Sequence, residues 1–141
     1  MKITLENGME LEVQPVSQVA LDEIIADLGG YELQSTLAEL DDAGLRAHFA
    51  TYTSTEMADY LAAQHRQMLY CFGWGVVDAP SEEAKQLLES LGHTSPLPQV
   101  QRARWLIYAA NLTRADKARI IGTVMAVTYA AELRRNADGR Y

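Results

Sequence analysis

The sequence has a single cysteine, Cys71, in 141 residues. One thiol excludes an internal disulfide framework, and a reducing, cytoplasmic setting is the expectation. No uncharged apolar run approaches the ~18 residues that a membrane span needs. The opening MKITLENGMELE lacks the apolar stretch of a signal peptide, so no membrane is expected. HExxH, a phosphate-binding glycine loop, GxSxG and CxxC are all missing. The three histidines, His48, His65 and His93, share no motif spacing with one another or with Cys71. Asp41-Asp42 and Glu82-Glu83 read as solvated charges at loops and helix ends. No catalytic, metal or cofactor site can be named, and the chain reads as a binding protein, not an enzyme.

What is present is enough apolar residue, 48%, for one domain with a real core. The net charge of −7 conceals an asymmetry. Residues 1–100 carry 16 acids against 4 bases, a balance of −12, and residues 101–141 carry 8 bases against 3 acids, a balance of +5. The bases Arg102, Arg104, Arg114, Lys117, Arg119, Arg134 and Arg135 are dispersed, without the dense run that phosphate binding favours. The overall charge would repel nucleic acid, which is therefore a disfavoured partner.

The N-terminus reads as a β-hairpin over residues 1–16. Ile3, Leu5, Met9, Leu11 and Val13 are all odd-numbered. A two-residue Asn7-Gly8 turn would pair Leu5 with Glu10 and mix the faces. A three-residue loop, Glu6-Asn7-Gly8, pairs Leu5 with Met9 and Ile3 with Leu11, and puts Gly8 at a left-handed bulge position. Pro15 ends the second strand.

The remainder is mainly α: a bundle of five or six helices follows the hairpin. Residues 17–52 read as a helix from Ser17 to Leu28, stopped by Gly29-Gly30, and then a mobile segment broken at Asp41–Gly44. Residues 53–135 read as the helical bundle. Thr53-Ser54-Thr55-Glu56 forms a capping box, and Met57, Leu61, His65, Met68 and Phe72 share one face of the helix it starts, with His65 as a core imidazole. Gly73-Trp74-Gly75 ends that helix. Ser81 opens a short one whose Leu87, Leu88 and Leu91 face inward until Gly92. Residues 99–111 form another, with Trp105 largely buried. Thr113 caps the last, from Arg114 to about Arg135, and residues 136–141 are a polar tail.

Two features point to partners. Ile120–Ala131 contains no charge on any face. Either this helix is central, or one face meets another polypeptide, and Gly122 and Ala126 would permit close helix approach in both cases. With the open edges of a hairpin, this makes self-association an expectation. Trp74, between two glycines, is either a core plug or a partly exposed anchor for a client helix. The candidate interface is Trp74, Val76, Ile120, Val124, Met125 and Tyr129.

The opening ITLENGMELEVQPVSQVALDEI has an extended segment with a turn, then V-x-P-V-S, then an apolar helix. YLAAQHRQMLYCFGWGVVDAP is a helix ending in an aromatic-glycine corner before a short acidic helix. RARWLIYAANLTRADKARIIGTVMAVT joins a Trp-bearing helix through a capped turn to a final apolar one. In pattern and element order the chain resembles the small tail assembly chaperones and related tail-module proteins of long-tailed bacteriophages. The resemblance implies a cytoplasmic protein of the bacterial host cell that binds the aggregation-prone tape-measure protein, or another tail protein, during tail assembly. Excess negative charge suits a partner that must stay dispersed, and the five methionines offer adaptable apolar surface. A structural virion component, such as a head–tail connector or tail-end protein, is the alternative. A small nucleic-acid-binding or regulatory protein using the basic C-terminal region is a further one.

Overall fold

Parity alone predicts the hairpin, and the hairpin forms in that register. In the computed structural model, which describes residues 1–137, β1 (Lys2–Thr4) pairs antiparallel with β2 (Glu10–Glu12), and Ile3 lies opposite Leu11. The Leu5 amide donates to Met9 O at 2.8 Å, and Gly8 has φ 85°. Ile3, Leu5, Leu11 and Val13 are all buried. At roughly 1.5–3 kcal/mol for each large apolar side chain taken out of water, this face holds the hairpin to the rest of the fold.

Seven α-helices follow among the described residues: α1 (Gln18–Asp27), α2 (Tyr31–Ala38), α3 (Asp42–Phe49), α4 (Ser54–Gly75), α5 (Glu82–Leu91), α6 (Pro98–Arg104) and α7 (Arg114–Ala137). The protein is thus mainly α, with an N-terminal hairpin and a helical bundle. Asn136 and Ala137 still belong to α7, and the rest of the expected polar tail lies outside the described residues. The one domain read from the sequence resolves into two compact units. Val19–Gln67 forms one, and Met1–Gln18 with the chain from Met68 onward forms the other.

In the Val19–Gln67 unit, α1 ends in a Schellman motif. Gly30 N donates to Ile25 O and Gly29 N to Ala26 O, with Gly29 at φ 97°. The stretch expected to be mobile is folded into α2 and α3. Asp41, read as a helix break, is a helix start: its carboxylate accepts from Gly44 N at 2.7 Å. The capping box forms in both directions, with Glu56 N donating to Thr53 Oγ1 and Thr53 N to Glu56 Oε1. The Thr53 backbone amide, and after it the Thr53 hydroxyl, lower the Glu56 carboxyl below its ordinary range.

The face of α4 is the expected one only in part: Phe72 is fully buried and Met57 and Met68 are half-buried. Leu61 and His65 are exposed, while Tyr60 and Ala63 are buried. Spacings of three and four fit either row of residues. The choice falls to Tyr60, whose ring lies 5.0 Å from Phe49 and 6.1 Å from Tyr52 and draws its own side of the helix inward. His65 is therefore a surface residue and not a core imidazole.

In the other unit, α5 starts at Ser81, whose Oγ accepts from Ala84 N, and stops at Gly92 in the left-handed conformation. Only Ala84 and Leu88 of α5 are buried. Leu87 and Leu91, expected to face inward, are exposed, because a ten-residue helix lying on a surface buries one row. The helix expected over 99–111 changes pitch. α6 gives way to a π-helical segment at Trp105–Ala109, in which Ala110 N donates to Trp105 O. Trp105 and Leu106 are buried, as expected for the tryptophan. Thr113 caps α7 through Asp116 N.

Candidate functional site

The expected interface divides on inspection of α7. Its buried residues are Asp116, Ile120, Val124 and Thr128, a single row at intervals of four. A 24-residue helix can bury so narrow a row when the two polar positions at its ends have partners. Asp116 Oδ1 accepts from Glu6 N at 3.0 Å; Thr128 Oγ1 accepts from Val16 N at 3.0 Å and donates to Val124 O. One row of the charge-free stretch thus belongs to the core of this unit. Ile120 and Val124 are fully buried and offer nothing to a partner, and Met125 and Tyr129 are half-buried.

Gly122 and Ala126 are exposed, and a Cβ on Gly122 would meet nothing within 4 Å. The close helix approach expected there occurs instead at the end of α4. A Cβ on Gly75 would lie 2.5 Å from Val124 Cγ2, and one on Gly73 would lie 2.7 Å from Gln99 O. The two glycines are small for the sake of α7 and the start of α6.

Val76, also offered as an interface residue, is fully buried and bridges antiparallel to Val13. Gln14 N donates to Gly75 O, and Val77 N donates to Glu12 O. Asp78 Oδ2 accepts from Glu12 N at 2.7 Å. On the opposite edge, Arg119 donates to Thr4 O beside the Glu6–Asp116 bond. Both hairpin edges therefore carry some of their bonds within their own chain.

Trp74 is different. It sits between the two close-packed glycines but points the other way, and its side chain is 41% exposed. Its ring stacks on Tyr70 at 5.7 Å, and its carbonyl accepts from Gln14 Nε2. Tyr70 is fixed in turn, because its hydroxyl accepts from Ser17 N. Trp74 is a held, surface-facing ring and not a core plug.

The basic residues that a nucleic-acid reading would use are largely structural. Arg102 donates to the Asp78 and Gly73 carbonyls, Arg104 to Thr94 O, Lys117 to Ile107 O and Arg119 to Thr4 O, while Arg135 pairs with Glu132. Cys71 is fully buried, and burial pushes its thiol up to about 12, so it is protonated and inert as a nucleophile. His48 Nε2 lies 3.1 Å from Tyr52 Oη, and His93 stacks flat on Tyr108 at 4.1 Å. No cluster of three or more His, Cys, Asp or Glu side chains among the described residues could hold a metal.

A feature without a sequence motif lies in the Val19–Gln67 unit. An open cleft of about 230 Å³ is lined by Asp27, Leu28, Gly29, Tyr52, Glu56, Asp59 and Tyr60. Glu56, Asp59 and Tyr60 follow helical spacing on α4, but Asp27 and Tyr52 join them only through the fold. Family models, curated proteins and solved structures provide no match to the chain.

Proposed function

We propose that this protein is a non-enzymatic binding protein, and that its role is that of a tail assembly chaperone for the tape-measure protein of a long-tailed phage. The observation that carries the binding role is Trp74, a large ring held at the surface by Tyr70 while the residues on either side of it are packed inward. A rigid aromatic presented in this way is the kind of anchor that inserts between side chains of an amphipathic client helix. The chaperone role rests on the resemblance in element order and on the excess negative charge, which keeps a protein with exposed apolar side chains dispersed. Client specificity then lies in the aromatic anchor, and solubility in the acidic surface.

Co-expression with a tape-measure protein encoded beside it tests the reading. Wild type should keep the client soluble and co-purify with it. Trp74→Ala should lose co-purification while its thermal stability falls little, since less than two thirds of the ring is covered. Equal co-purification by wild type and Trp74→Ala overturns the anchor, and an insoluble client in both cases overturns the chaperone. Presence of the chain in mature particles would favour the structural virion role instead.

A further inference from the structure

The net charge of this protein belongs to one unit. Val19–Gln67 contains nine Asp and Glu against two Arg, a balance of −7, and the rest of the chain holds ten of each, a balance of zero. Such an excess within 49 residues costs stability through self-repulsion, and folding does not require it. An ion pair, Arg66 to Asp27 at 3.0 Å, relieves part of it.

The cleft lies in this unit and combines two kinds of wall. Asp27, Glu56 and Asp59 bring carboxylates, and Tyr52, Tyr60 and Leu28 bring aromatic and apolar surface. The tyrosines are braced. Tyr52 Oη is bonded to His48, Tyr60 Oη accepts from Gln34 Nε2 at 3.3 Å, and both rings touch Phe49 edge to face or tilted. Glu56 is engaged by the capping box, and Asp27 already carries a guanidinium. Asp59 has no ion-pair partner among the described residues.

We propose that this cleft is a docking site for a basic polypeptide segment, with one arginine side chain of the partner seated between the tyrosines and Asp59. Charge complementarity selects the occupant. An aromatic wall beside an unpaired carboxylate matches a guanidinium, which is planar, weakly hydrated and able to stack while its edge donates hydrogen bonds. The Asp27–Arg66 pair shows one such cation already accommodated at the rim. The unit's net negative charge would steer a basic segment toward the cleft and make its capture salt-dependent. The inference concerns a unit other than the one that carries Trp74, and it stands whether or not the client is a tape-measure protein.

Calorimetric titration of the full chain with a synthetic peptide of alternating Arg and Ala is the test, with alternating Lys and Ala, and Glu and Ala, as comparators. The Arg peptide should bind more tightly than the Lys peptide, the Glu peptide should not bind, and affinity should fall as salt rises from about 50 to 300 mM. Asp59→Asn should weaken binding by about tenfold, the scale of one lost charge-assisted contact. Tyr52→Leu should erase the preference for Arg over Lys. Glu82→Gln, on α5, should leave binding unchanged. Amide shifts in the wild-type complex should map to residues 27–29 and 52–60. Undiminished binding by Asp59→Asn, shifts centred elsewhere, or no binding of the Arg peptide at low salt would each overturn the proposal. None of these readouts involves Trp74 or the tape-measure protein.

Discussion

Replacing Gly75 by alanine adds one methyl group at a point where there is no room for it. The backbone of Gly75 is not in the left-handed region, so alanine brings no φ strain and the effect is steric. The new Cβ would lie 2.5 Å from Val124 Cγ2 and 2.8 Å from Cγ1, well inside the ~3.5–4.0 Å optimum for carbon pairs. Val124 cannot turn aside, because a β-branched residue within a helix has one strongly preferred rotamer and this one is fully buried. Overpacking of this kind costs about 1–3 kcal/mol, and the rigid neighbour puts the cost near the upper end. Alanine gains at most ~1 kcal/mol of helix propensity over glycine. The net loss should be about 2 kcal/mol, roughly 6 °C in Tm at about 3 °C per kcal/mol for a chain of this size. Gly122→Ala supplies the control. It gains the same propensity in open space, so Tm should rise by roughly 3 °C. Urea and thermal unfolding followed by circular dichroism measure both. In the double variant Gly75→Ala/Val124→Ala, the second substitution should cost less than it does alone, because it relieves the clash. A Gly75→Ala protein as stable as wild type would refute the close packing of α4 on α7.

Trp105→Ala should destabilise by roughly 3–5 kcal/mol, enough to unfold a marginal domain, and equilibrium unfolding will show it. Cys71 should react with a disulfide reagent at neutral pH no faster than its part of the fold opens, since its thiol is buried and raised to about 12; burst-phase labelling of the native protein would contradict this. Glu56 has a lowered carboxyl pKa, so its capping contribution is fully present above the ordinary carboxylate range. That contribution is lost as pH falls through the lowered value. Glu56→Gln should accordingly flatten the acid limb of the stability–pH curve, and an unchanged limb would remove Glu56 from the account.

The local chemistry of the fold was open to reading. The hairpin register followed from five odd-numbered apolar residues, the starts of α4, α5 and α7 from Thr53, Ser81 and Thr113, and the stops from Gly29-Gly30 and Gly92. Each of these is decided within a few residues by turn and cap geometry. What failed was decided by distant neighbours. The inward side of α4 was set by the aromatic cluster around Tyr60, which needs Phe49 and Tyr52 from another element. The apolar stretch of α7 suggested an interface because its buried row is closed by polar residues, Asp116 and Thr128, whose partners lie more than a hundred positions earlier. Dispersed bases looked like a surface charge, but Arg102, Arg104, Lys117 and Arg119 reach backbone carbonyls that a sequence does not place. Of the candidate interface, Trp74 alone combines an exposed ring with a fixed support, and the cleft had no signal, because Asp27 and Tyr52 lie on different elements from α4.

The three bonds that tie Thr4, Glu6 and Val16 to Arg119, Asp116 and Thr128 span 110 to 115 residues each. They give the unit that contains the hairpin a high contact order and a definite sequence of events during synthesis. Within this unit the hairpin is made before its partners: its second strand is met by Gly75, Val77 and Asp78 at the end of α4 and just beyond it, and its first strand only by α7. Val19–Gln67 is continuous in sequence and can complete its fold in that interval. The discontinuous unit can only follow, so the first hairpin strand stays without its α7 partners until that helix has been made. Slowing elongation beyond position 68 should therefore lengthen the period in which this protein aggregates, even though its finished fold supplies partners to both edges.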